Sequence, residues 1–190
     1  MGQINRRVDK RKDGKRKLMY YTRNSDLTYY ETHRHDANCG SYALRLNEWY
    51  NLDDYFEDVT GYYVEDWVVE KDQEGFDDYE ISTMYGEILV QGILEEFKGE
   101  LELCGGWPPK TDDVELIAFS TYCYSADSPN SVGYDYHFKV LRDGKWMEKC
   151  GMGPVEECTE DGWGDYIGDV FYFYHKIGGL NDWERKGSRY

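Results

Sequence analysis

A chain of 190 residues with 40% apolar content is long enough for one ordinary domain and too apolar to be disordered throughout. Its net charge of −16 is uneven: residues 1–23 hold nine Lys or Arg against two Asp, a balance of +7, which leaves −23 on the rest. So acidic a body repels phosphates, which excludes it as a DNA-binding surface and favours a basic or neutral partner; nucleic acid is expected only as a weak contact of the N-terminal arm. No stretch approaches membrane-spanning length, and the N-terminus is charged where a secretory leader would be apolar. The five cysteines (Cys39, Cys104, Cys123, Cys150 and Cys158) include no CxxC pair. Free thiols in a reducing, cytoplasmic setting are therefore expected, with no membrane partner.

In chain order, residues 1–17 read as a basic flexible arm and residues 18–190 as a single domain. Residues 18–36 look irregular or weakly extended. From Asn38 the pattern turns helical: Asn38 can cap, Ser41 lies in the first turn, and Ala43, Leu46 and Tyr50 share one helical face. Residues 54–75 mix aromatics with acids and carry no clear period. Ile81, Met84, Tyr85, Ile88, Leu89, Ile93, Leu94 and Phe97 form an apolar stripe that predicts a helix over 78–98. The run Gly105 to Pro109 breaks the chain, and Val114 to Tyr124 reads as a buried strand. After a polar loop, Tyr134 to Arg142 and Lys145 to Lys149 predict a hairpin through Asp143-Gly144, a favoured two-residue turn. Gly151 to Pro154 breaks it again, and Asp169 to Ile177 reads as the last strand. Helices followed by an antiparallel sheet argue for an α+β fold.

Two residues stand out chemically. Cys39 lies where a polar, turn-like stretch runs into the predicted helix, and positive charge at a helix start favours thiolate. Gly40 removes bulk beside the sulfur, so Gly40 and Asn38 are candidates for the wall that receives an oxyanion. His33 and His35, a few residues upstream, are candidates to line the same cleft. His137 sits on the first hairpin strand, on a face shared with Lys139 and opposite Tyr136, Phe138 and Val140. A histidine in reach of a thiol can take its proton and return it to a leaving group. Glu148, on the return strand, can stand beside that strand and orient the imidazole.

These residues resemble a pattern found in poorly characterised bacterial and phage proteins of papain-like type. The similarity rests on Asn38-Cys39-Gly40-Ser41-Tyr42-Ala43 and on Asp135-Tyr136-His137-Phe138, Asp143-Gly144-Lys145-Trp146, Lys149 and Gly151. It is similar to the plan of NlpC-type cell-wall peptidases, in which a polar residue on the next strand completes a triad. The hairpin is one residue shorter than in that pattern, and Glu148 and Cys150 stand where it has a histidine and a proline. The resemblance implies a papain-like α+β domain with N-terminal helices packed on an antiparallel sheet. It also implies a cysteine hydrolase or acyltransferase acting on a peptide or isopeptide amide of a protein substrate, with no cofactor. If the chain is phage-encoded, the host-cell cytoplasm is its expected location.

Two other readings compete. His33, His35 and Cys39, with Cys150 or Cys158, offer donors that zinc accepts, but their spacing matches no standard zinc motif, so no metal is expected. Alternatively, the acidic body acts without catalysis, as a phage-type inhibitor that imitates nucleic acid, with Glu65 to Glu80 as its densest acidic stretch.

Overall fold

In the computed structural model, residues 28–105, 114–125 and 132–177 are described. Among the described residues, five helices come first: α1 (Tyr29–Thr32), α2 (Cys39–Leu44), α3 (Asp53–Thr60), α4 (Val64–Glu74) and α5 (Asp78–Glu96). Six strands follow: β1 (Leu101–Leu103), β2 (Val114–Ser125), β3 (Val132–Arg142), β4 (Lys145–Lys149), β5 (Val155–Glu157) and β6 (Phe171–Lys176). They form one sheet in the order β1-β6-β2-β3-β4-β5, with every pairing antiparallel. The fold is α+β, as the order of patterns predicts. The basic arm, most of the 105–109 break and most of the 125–133 loop lie outside the described residues. Among the described residues, no helix is long and apolar enough to cross a membrane.

The longest helix is the one with the clearest period. Asp77 and Glu80 close a reciprocal capping box at the start of α5, and Ile81, Tyr85, Leu89 and Ile93 are buried along one face. That face packs on β2, where Ile117 and Phe119 are fully buried. The hairpin turn also follows local chemistry: Asp143 and Gly144 both have positive φ, at 50° and 79°, which a two-residue turn of this twist requires.

Elsewhere local pattern and structure differ. The helix expected to carry Ala43, Leu46 and Tyr50 on one face stops at Leu44, because Arg45 turns left-handed at φ 57°. Tertiary contacts hold that break. Arg142 donates to the carbonyls of Tyr42 and Ala43, both at 3.0 Å, and its guanidinium lies over the Tyr42 ring. Two carbonyls at the helix end thus receive a cation from the sheet. Arg45, turned outward by its αL conformation, reaches the buried carboxylate of Glu115 at 2.7 Å, and Arg142 bonds the same carboxylate. The α1 turn, α3, α4, β1 and β5 were also not expected. In α4 only Val64, Trp67 and Val68 are buried, too thin an apolar stripe to stand out among acids.

A second buried cation fastens the approach to α2. Lys149, fully buried at the end of β4, donates to the carbonyls of Arg34, at 3.0 Å, and Gly151. Burial draws its ammonium below the usual lysine range. Lys149→Met removes both bonds and should cost about 2 kcal/mol, a fall in Tm of about 4–8 °C in a domain of this size. An unchanged thermal melt would show that these carbonyls are satisfied without the ammonium.

Candidate active site

Asn38 sets where Cys39 stands. The Asn38 carboxamide oxygen accepts from the Ser41 N–H at 3.0 Å, and the Ser41 hydroxyl accepts from the Asn38 N–H at 3.2 Å, a reciprocal cap of α2. The same carboxamide donates to the Tyr50 carbonyl at 2.7 Å and accepts from the Tyr50 N–H at 3.2 Å. The Tyr136 hydroxyl joins in, donating to the Tyr50 carbonyl at 2.9 Å and accepting from the Leu52 N–H. A closed polar knot of side chains and backbone therefore fixes the first residue of α2 against β3. Cys39 is that residue, and its sulfur faces the Tyr136 carbonyl at 3.7 Å.

His137 follows Tyr136 on β3, with its side chain on the opposite face of the strand. Its Nε2 lies 2.9 Å from an oxygen of Glu148 on β4. The register explains the reach: Lys139 pairs with Glu148, so His137 and Glu148 are diagonal neighbours on one face. The ring stacks on Tyr166 at 5.2 Å between centroids and meets Trp163 edge-on at 6.3 Å. Those aromatics come from the segment between β5 and β6, which Lys139 holds in place. The Lys139 ammonium is bonded to the carbonyls of Thr159 and Gly162 at 2.7 and 2.8 Å and sits over the Trp163 ring. Tyr166 in turn donates to Asp135 at 2.8 Å.

The charges of this arrangement are coupled. Burial alone would pull the His137 imidazolium down, but its contacts with Cys39 and Glu148 outweigh that and push it up to about 9. The bond from His137 holds the Glu148 carboxyl below its usual range. Burial pushes the other four thiols upward, Cys158 to about 11.

Cys39 and His137 open on a cleft of about 450 Å³ whose wall also includes Asn38, Trp49, Asp53, Asp135 and Tyr166. Gly40 is not part of that wall. A Cβ there would lie 2.6 Å from the Tyr50 ring, so its smallness serves core packing, and the substrate-side role expected for it passes to backbone alone. Among the described residues, the N–H groups of Cys39 and Gly40 meet no acceptor, as is usual in a first helical turn. His33 is exposed, stacks on Tyr29 and bonds Thr32; His35 is exposed and meets the Met152 sulfur at 3.1 Å. Neither is among the residues that line the cleft. Nor do they gather with Cys39 as metal donors: among the described residues, the donors that do converge are His137, Glu148 and Cys150.

Nothing in the sequence marked Trp49, Trp163 or Tyr166, and Cys150 stood out only as a possible zinc donor with His33, His35 and Cys39. The aromatics lie in irregular segments with no periodicity to mark them. For Cys150 a signal existed: continuing the β3–β4 register two steps past Lys139 and Glu148 sets Cys150 opposite His137. No protein-family model, curated protein or solved structure matches this chain.

Proposed function

We propose that this chain is a papain-like cysteine hydrolase or acyltransferase that cleaves a peptide or isopeptide amide through an acyl-enzyme on Cys39. The observation that carries the reading is that Cys39 and His137 line one open cleft, with the Glu148 carboxylate 2.9 Å from the imidazole. In this scheme His137 takes the thiol proton and the sulfur attacks the amide carbon. The Cys39 N–H is placed to meet the oxyanion. His137 then protonates the leaving nitrogen, the C–N bond breaks and a thioester remains. Water or an amine next attacks the thioester, giving its proton to His137, which returns it to the departing thiolate. Glu148 bonds the His137 ring and acts through it, so it is a positioning residue that favours the imidazolium.

The cleft suggests which substrates enter. Asp53 and Asp135 stand among Trp49, Tyr134 and Tyr166, a wall of carboxylates and aromatic faces that suits a positively charged group. A panel of fluorogenic amides with basic, neutral or acidic residues at the acyl side tests this. Basic substrates should turn over fastest, Cys39→Ala should abolish turnover, and an acid quench should leave an acyl mass on the Cys39 peptide. Turnover that survives Cys39→Ala, or an adduct on another cysteine, sinks the assignment.

A second reading draws on the acidic helices. Asp54, Asp58, Glu65, Asp66, Asp72 and Glu74 of α3 and α4 are all exposed, so these two helices present many acids to solvent. A charge mimic that occupies a nucleic-acid-binding enzyme would use those acids. Tight, salt-sensitive binding to such an enzyme, indifferent to Cys39→Ala, would favour it.

A further inference from the structure

The hairpin strands bring an imidazole, a carboxylate and a thiol to one point. The donor atoms of His137, Glu148 and Cys150 all lie within 4.8 Å of one another. His137 is buried, Glu148 half-buried and Cys150 exposed, so the cluster runs from the floor of the cleft to solvent. Zinc binds nitrogen and oxygen at about 2.1 Å and sulfur at about 2.3 Å, so tetrahedral donors sit roughly 3.4–3.7 Å apart. The three donors lie close to that spacing, with the Glu148 oxygen, 2.9 Å from Nε2, nearer than a shared metal would hold it. The backbone already holds them in register.

We infer that His137, Glu148 and Cys150 form a binding site for a thiophilic divalent cation of the zinc type, with the fourth position left to water. The donor set selects the ion. A thiolate with an imidazole suits zinc and disfavours calcium or magnesium, which demand oxygen. One thiolate and one carboxylate neutralise its two charges, in a body already strongly negative. Binding exchanges protons for metal: the Cys150 thiol loses its proton as the S–Zn bond forms, and the His137 nitrogen that meets the metal gives up its own. A histidine held this way cannot shuttle the Cys39 proton, so the cation switches off the chemistry. The site stands on geometry alone; only that inhibitory effect rests on the catalytic reading of Cys39 and His137.

The test uses the full chain, stripped of metal by a chelator and titrated with zinc by calorimetry. Cobalt serves as a spectroscopic probe of the thiolate. One equivalent should bind, and the cobalt form should show a thiolate-to-metal charge-transfer band. Cys150→Ala should abolish that band and weaken zinc binding more than about tenfold, because even partners outside the ligand shell are worth roughly 10–100-fold. Glu148→Gln should weaken it as well, and Cys39→Ala should leave it unchanged. Circular dichroism of each variant separates ligand loss from misfolding. Bound zinc should slow alkylation of Cys39, and chelation should restore it. Absence of binding at micromolar zinc, affinity indifferent to Cys150→Ala, or an equal loss with Cys39→Ala overturns the site. Zinc bound through these residues while Cys39 reacts at full rate supports the site and overturns the Cys39–His137 pairing.

Discussion

Alkylation of Cys39 by iodoacetamide at neutral pH should slow about 10²-fold in His137→Ala, the lower end of what a positioned acid–base partner contributes. The His137 cation is held up to about 9 by its contacts with Cys39 and Glu148. It therefore stays protonated through neutral pH. As pH rises past about 9 the imidazolium is lost, and the advantage it gives wild type goes with it. Wild type and variant should converge near pH 10. The same raised value makes a stability statement. A pairing that lifts a histidine from 6.5 to about 9 is fully present below 6.5 and is lost as pH climbs through 9. Timed labelling with mass spectrometry reads all five thiols at once. Cys39 should be modified first, because burial pushes Cys104, Cys123, Cys150 and Cys158 away from thiolate. Uniform labelling, or an equal rate in His137→Ala across the pH range, would mean that the two groups are neighbours without being partners.

Glu115→Gln should destabilise the domain by about 3–5 kcal/mol at neutral pH, a fall in Tm of roughly 6–20 °C. Glu115 is buried on β2 and faces Arg45, Arg142 and, at 3.7 Å, His175. Burial would raise its carboxyl, but His175 and the two guanidiniums win and hold it far below the carboxylate range. Removing the charge leaves the buried Arg142 and the half-buried Arg45 facing one neutral carboxamide, which cannot balance desolvated guanidiniums. A depressed carboxyl contributes fully above its unfolded value of about 4.3 and progressively less as pH falls through its folded value. The gap between wild type and Glu115→Gln should therefore be constant from pH 7 to about 5 and narrow in acid. A gap that widens in acid would contradict the charge assignment. Because Arg142 also caps the end of α2, this variant should loosen Cys39 as well, visible as faster exchange of the α2 amides.

Where one residue's neighbours along the chain decide its conformation, the sequence was readable. The α5 stripe with its Asp77 cap, the paired positive φ values at Asp143 and Gly144, and the alternation that separates His137 and Lys139 from Tyr136, Phe138 and Val140 are all local in origin. So was the placing of Glu148 near His137, because a tight turn fixes the register of its two strands. The end of α2 was not readable, since Arg45 leaves the helix toward a carboxylate 70 residues away in sequence. Nor was the role of Gly40, which depends on the Tyr50 ring, or the stacking of Tyr166 on His137, which depends on Lys139 gripping the carbonyls of Thr159 and Gly162. The amino-acid pattern by itself determined an α+β chain with a cysteine opening a helix and a histidine–glutamate pair on one hairpin face. Only the tertiary structure decided that these face one cleft, that His33 and His35 stay outside it, and that Cys150 joins the histidine. Spacing along a chain encodes period and turn, whereas long-range ion pairs and ring contacts form only once the elements have packed.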